Sequence, residues 1–547
     1  MLNNIEHVVY LMLENHSFDS IVGWLYKDDQ PSKFVGADTT PTYQGLQTGS
    51  YSNKYDGRVI PVTVGTKGET GNPGISAQPL RVPGFDPNEE YEHVNQQLFG
   101  SPDNPTEANP RYGTPAAMEG FAYDYDAWSE SWDQLDQIME AYTPAQLPIL
   151  NGLARAYGVS DAWFSSVPTQ TNPNRAFSLC GTSLGRVNNT WNAVEQFQTP
   201  TVWNALPADT SWGIYYHDIW YSGQCYTQYT FPECTKALRN GEIEPIATFY
   251  SKAENGTLPR FSYLEPKWGY GKGKPDGSGF YCGRIGGTKY GVQGNDYHPP
   301  TWMGPGEAFV NEVYGARVAN AAAWQRTLLI ITFDEHGGTY DHVDPGWGAI
   351  QPDKYSGPDG FAFNRYGVRV PTLLISPWVS PATVFRSPSA AMKFDHTSII
   401  ATILRWRGVD PATAGLGARV AAAPTFEEAL STTARLDVPT FTVPDGYADQ
   451  GQDCWLSSDE SDTIGAGVVR SLVHQTTSIE DLHARIRTLL VSKAEMRRTA
   501  PLVRRRRLAR AVDGKHRRLM ARHPWIPVER ELAGAELVAP DRSGVLW

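Results

Sequence analysis

Ile5-Glu6-His7-Val8-Val9-Tyr10-Leu11-Met12-Leu13 runs directly into Glu14-Asn15-His16-Ser17-Phe18-Asp19. The first part, with its β-branched and aromatic members, reads as a strand buried on both faces. The second delivers a carboxylate, an amide and an imidazole where that strand ends. In open α/β sheets ligands gather at the carboxyl ends of strands, so Glu14 and Asn15 fall at a binding edge. The same residues also suit a plain strand-to-helix turn capped by Asn15, Ser17 or Asp19. What the other strand ends carry decides between the two.

Thr327-Leu328-Leu329-Ile330-Ile331-Thr332-Phe333 is a second compact buried strand, and Val368 to Ile375 reads as another. Helical patterns alternate with them. One is opened by Thr143-Pro144-Ala145, an N-cap with Pro at the first helical position. It carries Leu147, Ile149, Leu150, Leu153, Ala154 and Tyr157 before Gly158 stops it at a short strand near Val159. Others run from Ala308 to Ala323 and from Thr397 to Trp406. The alternation predicts an α/β fold, a mainly parallel sheet with helices on both faces. From about Tyr26 to Asp126 the chain is rich in Gly, Pro, Asn, Asp and Tyr with little periodicity, which predicts a packed cover.

Past about Arg435 the character changes. Glu480 to Arg522 is helical in pattern and strongly basic, with Arg504-Arg505-Arg506-Arg507 and Lys515-His516-Arg517-Arg518. We therefore expect a main domain over residues 1–435 and a largely helical, basic C-terminal extension over residues 436–547. The whole chain carries 47 basic against 59 acidic side chains, which argues against wholesale nucleic-acid binding. Its five cysteines show no metal-finger spacing, although Cys225 and Cys234 are close enough in sequence to pair. No basic-then-apolar leader opens the sequence, and no apolar stretch approaches the ~20 residues that span a bilayer. These features predict a soluble protein without an N-terminal signal peptide, either cytoplasmic or exported by a signal-less route.

Three further segments supply matching chemistry. In Thr169-Gln170-Thr171-Asn172-Pro173-Asn174-Arg175, Pro173 suits a first helical turn. Thr171 then lies at a helix N-terminus, where unpaired N–H groups and the dipole favour a phosphate or a developing alkoxide. Arg175 adds a second positive group, and a helix-capping Thr is the plain alternative. In Phe333-Asp334-Glu335-His336-Gly337-Gly338, two adjacent carboxylates repel and are costly to desolvate unless a cation neutralises them. The glycines let the backbone turn sharply beneath a ligand. In Asn295-Asp296-Tyr297-His298-Pro299-Pro300 and Phe394-Asp395-His396-Thr397-Ser398, histidines stand just ahead of helices. Any one of them reads as a core or loop histidine; several near strand ends point to a site.

The motifs Glu14–Asp19, Thr171–Arg175, Asp296–Pro300, Asp334–Val343 and Asp395–Ser398 also occur in a telling order. In that order the chain resembles the bacterial phospholipase C and acid phosphatase family of phosphoesterases, relatives of alkaline phosphatase, over about residues 1–430. The resemblance implies an alkaline-phosphatase-like core, makes residues 1–435 the catalytic domain, and implies metal-assisted phosphoester hydrolysis. It implies a hydroxyl nucleophile at Thr171 and metal ligands at Glu14, Asn15, Asp334 and Glu335. Such oxygen donors favour a hard divalent cation, Ca²⁺ first and Mn²⁺ or Mg²⁺ behind it. His298, His342 and His396, and more loosely His217, are candidates for binding phosphoryl oxygens or protonating the leaving alkoxide. Asn174 and Arg175 are candidates for binding the substrate. Two departures stand out. The family often has Asn after the Asp-Glu pair, where this chain has His336. Many members carry a Pro-Gly-His segment where it reads Asp86-Pro87-Asn88-Glu89-Glu90-Tyr91-Glu92-His93, which leaves His93 a weak candidate.

The implied function is a phospholipase C that cleaves phosphatidylcholine-type phospholipids to diacylglycerol and a phosphorylated head group. An acid phosphatase acting on phosphomonoesters shares this machinery and stands as the alternative. A metal- or surface-binding protein that had lost catalysis would not need Thr171, and sulfatase chemistry needs an oxidisable Cys or Ser there. Aromatics around Trp212, Tyr215, Tyr216, Trp220, Tyr221, Trp268 and Tyr270 suit either a cage for a choline head group or ordinary core and rim positions. The basic extension suits peripheral contact with an anionic membrane, a solvated helical bundle, or a homo-oligomer contact.

Overall fold

The apolar runs become strands of one nine-stranded sheet in the computed structural model. The structure describes residues 2–64, 80–84, 86–129, 135–189, 196–219, 223–269, 272–273, 280–281, 283–285, 288–290, 293–447 and 454–455. In chain order the strands are β1 His7–Leu13, β2 Lys33–Val35, β3 Gly158–Ser160, β4 Trp212–Tyr216, β5 Gly241–Pro245, β6 Phe261–Leu264, β7 Thr327–Phe333, β8 Thr372–Ile375 and β9 Thr383–Phe385. Across the sheet they lie in the order β2-β9-β3-β8-β7-β1-β6-β4-β5. Neighbours are parallel except β8, which runs antiparallel to both β7 and β3. The central pair β1 and β7 is buried nearly end to end, as continuous apolar runs require.

Helices α1 Tyr91–Phe99, α2 Pro148–Ala156, α3 Thr171–Cys180, α4 Gly304–Ala319 and α5 His396–Trp406 complete the expected α/β fold, with α3 packed on α5 and α2 on α4. The irregular N-terminal stretch forms a satellite core of its own, in which Ile60, Val94, Leu98, Met118, Phe121 and Tyr125 come together. Among the described residues no helix is long and apolar enough to cross a membrane.

Some boundaries differ from those the sequence predicts. The helix expected from Thr143 begins at Pro148 instead. Thr143 closes a turn on Gln146, and the free N–H groups of Ile149 and Leu150 donate to the carboxylate of Glu307 on α4 at 2.6 and 3.2 Å. A cap supplied from another helix leaves no local signature. The strand expected from Val368 is confined to Thr372–Ile375, beyond Pro371, which has no N–H for the ladder. Cys225 and Cys234 do not pair; both are free, buried thiols.

The chain divides into two units, residues 1–282 with 289–456, and residues 283–288 with 457–547. Residues just past 435 belong to the first unit, where the Tyr314 hydroxyl donates to Pro439 O and the Tyr447 hydroxyl to Gln146 O. The basic stretch Glu480 to Arg522 lies outside the described residues.

Candidate active site

Sheet register brings the two carboxylate-bearing strand ends together. Leu13 of β1 pairs with Phe333 of β7, so Glu14 and Asp334 leave the sheet side by side. The N–H groups of Asn15 and Glu335 both point to Asp334 Oδ1, at 3.4 and 2.8 Å. Both chains then turn at once. Asn15 has φ +44°, and Gly337 and Gly338 have φ +58° and +67°. A Cβ on Gly337 would lie 2.2 Å from Asn15 O, and one on Gly338 would lie 2.6 Å from Asn88 O. The glycine pair thus permits three backbones to approach closely as well as turning one of them.

The segment containing Thr171 meets this edge from the side. Thr171 is the first residue of α3, and its hydroxyl faces Glu14 Oε2 at 3.4 Å. Asn174 Oδ1 accepts from Val167 N, while its Nδ2 donates to the carbonyls of Val167, Thr169 and Gln170. Its amide therefore shapes the loop that presents Thr171. Arg175 is fully buried among the carboxylates. Its Nε donates to Glu14 Oε1 and Asp334 Oδ2, both at 3.0 Å, and Nη2 pairs with Glu14 as well. Its remaining donors reach Tyr263 and the carbonyls of Met12 and Leu13. The guanidinium is thus engaged with the strand ends.

Glu89 is a site residue that sequence reasoning missed. Asn15 Nδ2 donates to Glu89 Oε2 at 2.6 Å, and the Glu89 carboxyl lies against that of Glu335. Burial and then the neighbouring carboxylate push the Glu89 carboxyl well above the usual range. Burial does the same to Glu335, and burial together with Glu14 raises Asp334 to about 8. Glu14, Glu89, Asp334 and Glu335 thus crowd together with a single guanidinium among them. Asn15 Oδ1 and Glu335 Oε1, on fully buried residues, have no hydrogen-bond donor among the described residues. Buried oxygens without donors, amid mutually repelling carboxyls, fit a hard divalent cation. Asn15, Glu14, Asp334 and Glu335 are the residues that would hold it.

The histidines divide among several environments. Burial alone would depress His298, but the carboxylates of Asp86, Glu89, Glu14 and Asp296 outweigh it and raise the imidazole to about 10. It is therefore the cationic histidine of the site. His396, at the start of α5, has its pKa lowered by burial and lies 2.6 Å through Nε2 from the Asp334 carbonyl, which fixes the end of β7. His217 follows β4, contacts Asn295 at 3.3 Å and is depressed to about 4 by burial. His342 belongs to a different cluster. Its Nδ1 lies 2.6 Å from Asp19 Oδ2, and its ring stacks on Tyr51. Ligand atoms of Asp19, Asp341 and His342 lie within 4.8 Å of one another, close enough to hold a metal ion. There Arg369 already bonds both Asp19 and Asp341 at 2.9 Å. His93 pairs with Asp124 at 2.7 Å, and His336 bonds Gln97 at 2.8 Å.

Of the aromatics, Trp212 and Tyr215 are buried in the core, and Trp220, Tyr221 and Tyr270 lie outside the described residues. Trp268 sits 4.6 Å over the Arg175 guanidinium with Tyr226 beside it, so these rings cover the cation already present.

The chain is similar to several known proteins. The model of the Phosphoesterase family matches residues 5–410. Non-specific phospholipase C6 of Arabidopsis thaliana is 32% identical over 81% of this chain and 75% of its own length. Non-specific phospholipase C1 of the same plant is 33% identical over 73% and 66%, and phospholipase C B of Mycobacterium tuberculosis is 26% identical over 75% and 74%. Among solved structures, a protein in the alkaline phosphatase superfamily from Vibrio parahaemolyticus overlaps 52% of this chain and 65% of its own at 11% identity, with a TM-score of 0.27. With a family match that runs from β1 to just beyond α5, the chain belongs to the phosphoesterase family and is a phosphoric ester hydrolase.

Proposed function

We propose that the protein is a phospholipase C that cleaves phosphatidylcholine-type phospholipids to diacylglycerol and a phosphorylated head group, with Thr171 as nucleophile. The observation that carries this reading is the Thr171 hydroxyl, placed at the first position of α3 and facing Glu14 within the carboxylate cluster. The names of the relatives support the lipid substrate.

A divalent cation held by Glu14, Asn15, Asp334 and Glu335, Ca²⁺ before Mn²⁺ or Mg²⁺, would lower the pKa of the hydroxyl and neutralise phosphoryl charge. Glu14 orients the hydroxyl, and the positive end of the α3 dipole favours the oxyanion. As the Thr171 hydroxyl proton passes to Glu14 Oε2, the Thr171 oxygen bonds to phosphorus, and the bond from phosphorus to the glycerol oxygen breaks. Protonated His298 gives its proton to the departing alkoxide. Water then hydrolyses the phosphothreonine ester, releasing the head-group phosphate and returning a proton to His298, while Glu14 returns its proton to the Thr171 oxygen.

A panel of phosphatidylcholine vesicles, p-nitrophenylphosphorylcholine and p-nitrophenyl phosphate tests this, with Ca²⁺, Mn²⁺ and Mg²⁺ compared. The expected result is release of diacylglycerol and turnover of the small diester. Turnover confined to the monoester would make the protein an acid phosphatase.

A further inference from the structure

Asn15 sits at the meeting point of the strand ends, and its amide has two different faces. Only the oxygen can ligate a hard cation; the nitrogen carries two N–H groups that repel one. An amide at such a position needs an acceptor on its nitrogen side to hold the oxygen inward. Glu89 is that acceptor: Nδ2 donates to its Oε2 at 2.6 Å, while Asn15 Oδ1 faces no donor among the described residues.

Glu89 comes from an irregular stretch, yet its place is built. The Asn88 carbonyl accepts from Gln97 Nε2 at 2.8 Å, and Gln97 also bonds Asp124 and His336. Gly338 approaches the same carbonyl so closely that no side chain fits between them. The loop is thereby clamped to α1 on one side and to the turn after β7 on the other. Beside Glu89 lies Glu335, whose Oε1 also lacks a donor among the described residues.

We infer that Glu89 is a positioning residue for cation binding: it holds the Asn15 amide with its oxygen turned to the cation. The inference rests on the cation reading given under Proposed function and adds a residue to it. Loss of a group that orients a metal ligand typically weakens metal binding about 10–100-fold.

Calorimetric titration of Ca²⁺ into the full-length protein, freed of metal with a chelator, tests the inference without recourse to activity. Circular dichroism checks that each variant is folded. Glu89→Ala should weaken Ca²⁺ binding by about 10–100-fold. Glu89→Gln, which keeps an acceptor oxygen for the Asn15 amide, should restore most of the affinity. In an Asn15→Asp background, where either carboxylate oxygen serves as a ligand, Glu89→Ala should cost little or nothing. Affinity unchanged in Glu89→Ala would overturn the inference. So would a Glu89→Gln variant as weak as Glu89→Ala, or an equal loss in the Asn15→Asp background, since either would make the Glu89 charge the agent. Wild-type protein that bound no divalent cation would overturn the cation reading itself, and the inference with it.

Discussion

Replacing Gly337 by Ala probes how tightly the site is assembled. The residue has φ +58°, in the left-handed region, where an Ala costs about 1–2 kcal/mol. Its new Cβ would also lie 2.2 Å from Asn15 O and 2.8 Å from Asn15 Cβ. Neither contact is with the far end of a flexible side chain, so relief requires backbone movement, and overpacking of that kind costs about 1–3 kcal/mol more. Gly408 is the matched control. Its φ is +73°, and a Cβ there meets nothing within 4 Å, so Gly408→Ala incurs the left-handed cost alone. Urea unfolding should therefore show Gly337→Ala destabilised by about 2–5 kcal/mol, against about 1–2 for Gly408→Ala. Calorimetry with Ca²⁺ should show weaker binding only in Gly337→Ala, because the turn that yields is the one seated on Asn15. Equal destabilisation of the two variants with unchanged Ca²⁺ affinity would refute the reasoning.

Glu307 gives a pH signature away from the active site. Burial raises its carboxyl from 4.5 to about 7 in the folded protein, although bonds from Tyr297, Ile149 and Leu150 oppose the rise. A folded value above the unfolded one means stability that is full below about 4.5 and lost as pH rises through about 7, on the order of 3 kcal/mol. In Glu307→Gln that part of the slope in denaturation midpoint against pH should disappear, and a parallel slope would refute the assignment. Asp334→Ala should lower both bound metal, read by elemental analysis, and phosphoester turnover; a metal-free active enzyme would contradict the cation reading. Deleting the chain from Glu480 onward should spare a small soluble diester but slow hydrolysis of anionic vesicles, an effect that added salt diminishes in the full chain. Equal loss on both substrates would assign the extension to folding or assembly.

The strand ends were legible because chemistry and periodicity coincide there. β1 and β7 are continuous apolar runs, and Glu14, Asn15, Asp334 and Glu335 follow them immediately. Their adjacency required only that two buried strands pair in register. Thr171 was legible as a helix start for an equally local reason, the Pro173 that follows. Glu89 was not, since its place depends on Gln97 gripping the Asn88 carbonyl and on Gly338 leaving room, neither of which has a sequence period. The segment containing it stood out only as a departure from the family pattern. The role of Arg175 was hidden similarly: its position suggested an anion, and only the pairing of β1 with β7 shows that the nearest anions are Glu14 and Asp334. The cap from Glu307 crosses between helices, so Pro144 looked as good a helix start as Pro148.

The central claim is that the Thr171 oxygen attacks phosphorus. Its most direct test is to mix the Ca²⁺-loaded enzyme with p-nitrophenylphosphorylcholine, quench in acid within the first turnover, and measure the mass of the peptide containing Thr171. We expect that peptide to gain a phosphorylcholine group at Thr171, and folded Thr171→Ala protein to show neither adduct nor turnover. An adduct on another residue, or near-normal turnover by Thr171→Ala, would contradict the account.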